Sequence, residues 1–271
     1  MDPIILATAE CDFENEVICA PSNVLELFEL PTLFHIGEFA FTRTSFLILL
    51  AAFLSVLVLW LGLRKPQLIP GKMQMMVEGM VGFVRDGIAR DIIGPEGAKY
   101  APYLFSMFIF ILIGNLFEVT PLINFPITSR MAIPIFLSLL TWAIFVFVGF
   151  KKNGIRYFTD IAWPKAVPVA LRPLVGLIEV VSTFLLRPLT LAVRLFANLV
   201  AGHLMLSLLL GSGIAFVLAV GDIGFRAGLG FIWFGVGMGI YLFEIVVAIL
   251  QAYIFTLLSA VYISSSEHPQ H

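Results

Sequence analysis

Five stretches of this sequence run for about 20 residues or more with almost no charge, and that one feature dictates the solvent in which the chain folds. About 30 Å of hydrocarbon divided by about 1.5 Å of helical rise per residue asks for such lengths. Only 13% of the 271 residues are charged, 60% are hydrophobic, and the mean hydropathy is +1.01, whereas soluble domains carry roughly 25% charged residues. The expected fold is therefore an all-α integral membrane bundle with five crossings. Three spans are of ordinary length: about 44–63, 100–120 and 131–150. The other two, about 173–210 and 227–263, would each be about 56 Å long as continuous helices. They are expected to be two long helices, tilted well beyond the usual ~20°.

Basic residues set the orientation. The loop 64–99 holds Arg64, Lys65, Lys72, Arg85, Arg90 and Lys99, and the loop 151–172 holds Lys151, Lys152, Arg156, Lys165 and Arg172; the other side has only Arg43, Arg130 and Arg226. The N-terminus is thus expected outside and the C-terminus inside. Residues 1–38 hold eight of the 18 acids and neither Lys nor Arg, which argues against a signal peptide. They are expected to form an exported acidic segment, with 39–271 as the membrane domain. Cys11 and Cys19 both lie in that segment. They either form a disulfide, as an oxidising space permits, or remain two inert thiols. Between the first two spans, residues 71–92 place Met73, Met76, Val77, Met80, Val81, Val84 and Ile88 at helical spacing, with Lys72, Glu78, Arg85 and Asp86 elsewhere on the wheel. This predicts an amphipathic helix on the inner surface.

The fourth span carries polar residues that lipid does not tolerate freely. An arginine at the bilayer centre costs about 2.5–3.5 kcal/mol even on insertion scales, and it cannot shed its charge. Taken as one helix with Arg194 at zero, Glu179 falls at about −60°, Thr183 at −20°, Arg187 at +20°, Thr190 at −40° and Asn198 at +40°. That is one polar stripe, expected to face water or another protein's polar group. His203 looks about half a turn away. On the last span Glu244 and Gln251 share a face.

Folding the two long helices into an antiparallel hairpin and pairing His203 with Glu244 puts the hinge at about residue 223; pairing Arg194 with Gln251 gives the same hinge within about one residue. It falls in the glycine-containing break GDIGFRAG, 221–228, on the outer side. Glu118 closes the second span at that end, and Glu179 lies toward the inner end of the fourth. Two half-length polar paths result, one outward through Glu118, His203 and Glu244, one inward at Glu179, with the fixed charge of Arg194 between them. Histidine and carboxylates can relay protons. A secondary transporter is the competing reading, though the inverted repeats it calls for are not visible. An intramembrane hydrolase using Ser212 beside His203 lacks the strand-to-helix elbow such a nucleophile needs. No metal or other cofactor and no nucleic-acid partner is expected.

TLAVRLFANL, residues 190–199, resembles the signature of subunit a of the F-type ATP synthase. AGHLML after it, GNLFEVTP at 114–121 and EIVVAILQAYIFTLLSAVYIS from Glu244 onward are similar to that family too, over about residues 30–265. The resemblance implies a stationary proton-channel subunit with no catalytic site of its own, working in a bacterial plasma membrane rather than a mitochondrial inner membrane. Its implied partners are a ring of c subunits, each with a membrane-embedded carboxylate, and the peripheral-stalk b subunits. Arg194 would be the family's essential arginine, with Asn198 beside it and Gln251 across from it, and His203 with Glu244 the outer-path pair.

Overall fold

The computed structural model describes residues 18–19, 32–36, 39–64, 71–120, 127–164, 168–219 and 227–267. Two short strands, β1 (Thr32–Ile36) and β2 (Phe39–Thr42), pair antiparallel, a local exception to the all-helical expectation. The stretch TLFHIGEFAFT is rich in the β-branched and aromatic residues that strands favour. The hairpin straddles the expected boundary at residue 38. Thr42 ends it and caps the next helix, its hydroxyl accepting from the Ser45 N–H at 3.3 Å.

Helices follow: α1 (Arg43–Leu63), α2 (Lys72–Val84), α3 (Asp91–Ile93), α4 (Ala101–Val119), α5 (Ala132–Asn153), α6 (Arg156–Ala162), α7 (Arg172–Val181), α8 (Arg187–Leu218) and α9 (Ala227–Glu267). Five helical stretches are long and apolar enough to cross a membrane, and this is a multi-pass membrane protein. The amphipathic segment divides: α2 passes through a π turn, Arg85–Arg90, into α3. Val77, Val84 and Ile88 are fully buried, while Met73, Met75 and Met76 stay exposed. Arg85 and Arg90 both pair with Asp86, at 2.9 and 2.8 Å, and the Arg85 hydrogen bond holds the Asp86 carboxyl below its usual range.

The fourth apolar stretch runs over Arg172–Leu218, 47 residues, longer than the 38 expected because α8 continues past residue 210 to Leu218; within the stretch α7 and α8 join through a second π turn, Ser182–Leu186. Its cause is Pro188, which has no N–H to give to the carbonyl four residues back. Arg187 N–H instead bonds Ser182 O, five residues back. At 41 residues α9 also runs to twice the hydrocarbon thickness, so both lie oblique.

α8 and α9 form the expected hairpin, and glycines set its register by letting the two backbones approach. A Cβ on Gly213 would meet Phe234 N, one on Gly237 would meet Leu210, and one on Gly230 would meet Phe216 and Val217. These antiparallel contacts centre between about residues 221 and 224, where the expected hinge lies. Residues 221–226 of that break are outside the described residues. The core joins α4, α5, α8 and α9 through Leu104, Ile111, Phe145, Leu195, Phe255 and Ile263; α1 packs on α4 through Leu47, Ala51 and Phe117.

Candidate functional site

The heptad from Arg194 outward shows how α8 divides its faces. Leu191, Leu195, Leu199 and Leu206 bury one side in the core, and His203, 4% exposed, turns the same way. Arg194, Ala197 and Ala201 occupy the exposed side, with Asn198 half-buried at its edge. The half-turn between Arg194 and His203 read from the sequence is thus realised as opposite environments. Among the described residues no hydrogen bond or ion pair reaches Arg194.

The hinge end of the bundle gathers two buried carboxyls. Glu118 is 3% exposed on α4 and Glu244 7% on α9. The two helices run antiparallel, with the Tyr241 hydroxyl donating to Val119 O and the Asn115 amide donating to Ala248 O at 3.4 Å. That register sets Glu118 level with Glu244. The Glu244 carboxylate lies over Gly202, where a Cβ would come within 2.5–2.7 Å of its atoms. Glycine at 202 is therefore the notch that seats the carboxylate against α8, one residue before His203 in the chain.

Gln251, two turns further along α9, is 5% exposed. Its Nε2 and the Glu118 Oε1 are buried without a hydrogen-bond partner among the described residues, each at a cost of about 1–3 kcal/mol. Such costs concentrate where a group is kept for use. Gln251 and Arg194 are level in the hairpin register, but Gln251 faces inward and Arg194 outward, and no hydrogen bond joins them.

The constant-pitch wheel needs one correction. The Ser182–Leu186 π turn inserts about one residue of phase between α7 and α8. Counting it moves Glu179 from about −60° to about +40° and Thr183 from about −20° to about +80°. Thr183 is buried at 4% and leaves the stripe. Glu179, half-buried, stays in it on the Asn198 side.

Sequence reading missed Asn115, 1% exposed, whose Oδ1 accepts from the Thr128 hydroxyl at 3.5 Å. The available signal was its place one turn before Glu118 in GNLFEVTP. Tyr241 and Gly202 were missed as well. Ser212, raised as a nucleophile, is fully buried and binds backbone: it accepts from Cys19 N–H at 2.9 Å and donates to Cys19 O at 3.3 Å. Cys19 itself is disulfide-bonded; Cys11 lies outside the described residues.

Residues 44–264 match the family model described as ATP synthase A chain. ATP synthase subunit a of Frankia alni is 38% identical over 253 residues, 91% of this chain and 86% of that protein. The same-named protein of Rhodopseudomonas palustris is 39% identical over 93% of this chain and 98% of its own length, and that of Maricaulis maris is 33% identical over 93% and 100%.

Proposed function

This chain belongs to the ATP synthase A chain family, as a membrane subunit of an F-type ATP synthase, and from that premise we propose that it is the stationary proton-channel subunit, with two offset half-paths. The observation that carries the proposal is the division of α8: Arg194 on the exposed face and His203 on the buried one, one residue after the Gly202 over which the Glu244 carboxylate lies, with the buried Glu118 level with Glu244. The exposed face is where a ring of c subunits, each with a membrane-embedded carboxylate, turns against the chain. Peripheral-stalk b subunits hold it still. By the basic-residue rule the hinge end faces outside, in a bacterial plasma membrane.

A proton enters past Glu118, Glu244 and His203 and neutralises a ring carboxylate, which then turns into lipid without the cost of a bare charge. After nearly a full revolution the carboxylate reaches the inner path near Glu179, where water and the approach of Arg194 favour ionisation. Asn198 and Gln251 flank the crossing. Each proton moving through 100 mV delivers about 2.3 kcal/mol, and the angular offset between the paths converts that into torque.

Cross-linking tests the face assignment. Cysteines at Asn198 and Ala201 should cross-link to a c subunit in the assembled complex, and one at the buried His203 should not. Cross-linking of equal yield at all three positions would sink the proposal. The outer path has its own test. His203→Ala or Glu244→Ala should each slow proton-driven synthesis by about tenfold or more, and exchanging the two residues should recover part of the rate. An exchange no better than the worse single change would show that they do not work as a unit.

A further inference from the structure

The last described turn of α9 binds the rest of the bundle in a way the proton paths do not use. Ser264, Ser265, Ser266 and Glu267 reach six residues on five neighbouring elements. Ser264 Oγ donates to Ile92 O at 3.0 Å. Ser265 Oγ accepts from Arg187 at 3.0 Å. The Ser266 carbonyl accepts from Asn153 Nδ2 at 3.2 Å, and its hydroxyl pairs with the Tyr157 phenol at 3.1 Å. Glu267, 3% exposed, receives Lys99 at 2.8 Å and Lys152 at 3.2 Å. Helix ends usually fray, yet this one is tied to α3, α5, α6, α8 and the turn before α4.

One of these bonds lands on the polar stripe. Arg187 is seven residues, about 10.5 Å, from Arg194 and eight from Glu179. Its guanidinium lies over the Tyr262 ring at 5.3 Å, besides bonding Ser265. Among the described residues no carboxylate comes within ion-pair distance of it. A hydroxyl and an aromatic face orient a guanidinium without neutralising it. The nearby carboxyl of the clasp, Glu267, is already engaged by two lysines. Tyr157, which faces Arg187 from α6, is held above the ordinary phenol range by burial and remains an uncharged hydroxyl.

We infer that the Ser264–Glu267 clasp is a positioning device: through Ser265 and Tyr262 it holds Arg187 as a second fixed cation in the inner path, where it promotes proton release from the ring carboxylate. The inference rests on the two-path reading above. Its sign is definite. A nearby positive charge favours the ionised carboxylate, so removing it makes release demand a higher internal pH. The groups around Arg187 that set the local field are Glu179 and Arg194 on its own span, Tyr262 and Glu267 from α9, Tyr157 from α6, and Lys99 and Lys152 at Glu267.

The test is ATP synthesis by the whole complex in vesicles, with internal and external pH varied separately. Arg187→Gln should displace the internal-pH curve upward by an amount on the order of one unit, as expected for a unit charge about 10 Å away, and leave the external-pH curve in place. Ser265→Ala should move the internal curve the same way by less, Ser265→Thr should restore it, and Arg187→Lys, which keeps the charge, should stay nearer wild type. Neither curve moving, with the complex assembled at wild-type level, overturns the role of Arg187 and leaves the two-path reading intact. Both curves moving together overturns the separation of the paths itself. Assembly lost in Ser265→Ala and Ser265→Thr alike, with Arg187→Lys pH curves unchanged, assigns the clasp to folding alone and refutes the inference.

Discussion

Membranes carrying Arg194→Ala are expected to lose ATP synthesis to background while still leaking protons through the assembled complex. The reasoning begins with exposure. Arg194 stands on the outward face of α8 with no partner among the described residues, at a cost in lipid of about 2.5–3.5 kcal/mol that a carboxylate on a neighbouring subunit would offset. On the two-path proposal, alanine removes the attraction that draws an ionised ring carboxylate through the interface. It also removes the barrier that stops a proton from crossing directly between the half-paths. Arg194→Lys should fail at synthesis too, because an ammonium lacks the planar five-donor fork and can deprotonate when desolvated. The measurement is paired: synthesis in energised vesicles, and proton conduction in the same vesicles stripped of the soluble sector. Synthesis near the wild-type rate, with the ring present, would falsify the assignment.

Gly202→Val should be nearly as damaging by a different route. A Cβ there would overlap the Glu244 carboxylate at 2.5–2.7 Å, and the carboxylate, at the end of a flexible chain, yields before the helices do. The complex should assemble, while synthesis falls by about 10- to 100-fold, the range expected when a reacting group is displaced by about an ångström. Gly213→Val makes the contrast. Its Cβ would meet the backbone of Phe234 at 2.8 Å, so the hairpin itself must part and assembled complex should be lost. Blue-native gels of both variants beside synthesis rates separate the two effects. Loss of assembly in Gly202→Val would show that residue 202 serves packing only.

Much of this arrangement was legible in the sequence because membranes impose simple length rules. The five spans came from runs without charge, and their ends agree with the helices within a few residues, except where α8 carries the fourth on from residue 210 to Leu218. The hairpin register was readable because two polar pairings shared one hinge, and the glycine contacts between α8 and α9 fall around it. The burial of His203 against the exposure of Arg194 followed from a nine-residue separation on a regular helix. What could not be read depends on tertiary contact. Asn115 and Tyr241 matter through the helix they touch, not through a pattern on their own. The Ser264–Glu267 clasp is made with partners 78 or more residues away in the chain, so no local pattern announces it. The β1–β2 pairing was masked by the apolar content around it, and Thr183 was placed wrongly because a constant 100° per residue cannot anticipate a π turn.

That π turn changes how relatives of this chain should be lined up. A helix that has taken up one extra residue keeps its far end facing the same way only if the spacing across it grows by one. Glu179 and Arg194 are 15 residues apart, yet across Ser182–Leu186 they present the geometry of about 14 in an unbroken α-helix. A relative without the turn would hold the same two groups in the same places with one residue fewer between them. Alignments that forbid a gap inside a membrane span would then pair Glu179 with its partner's neighbour and score the acid as missing. Positional equivalence in the fourth span is better counted separately on each side of Ser182–Leu186.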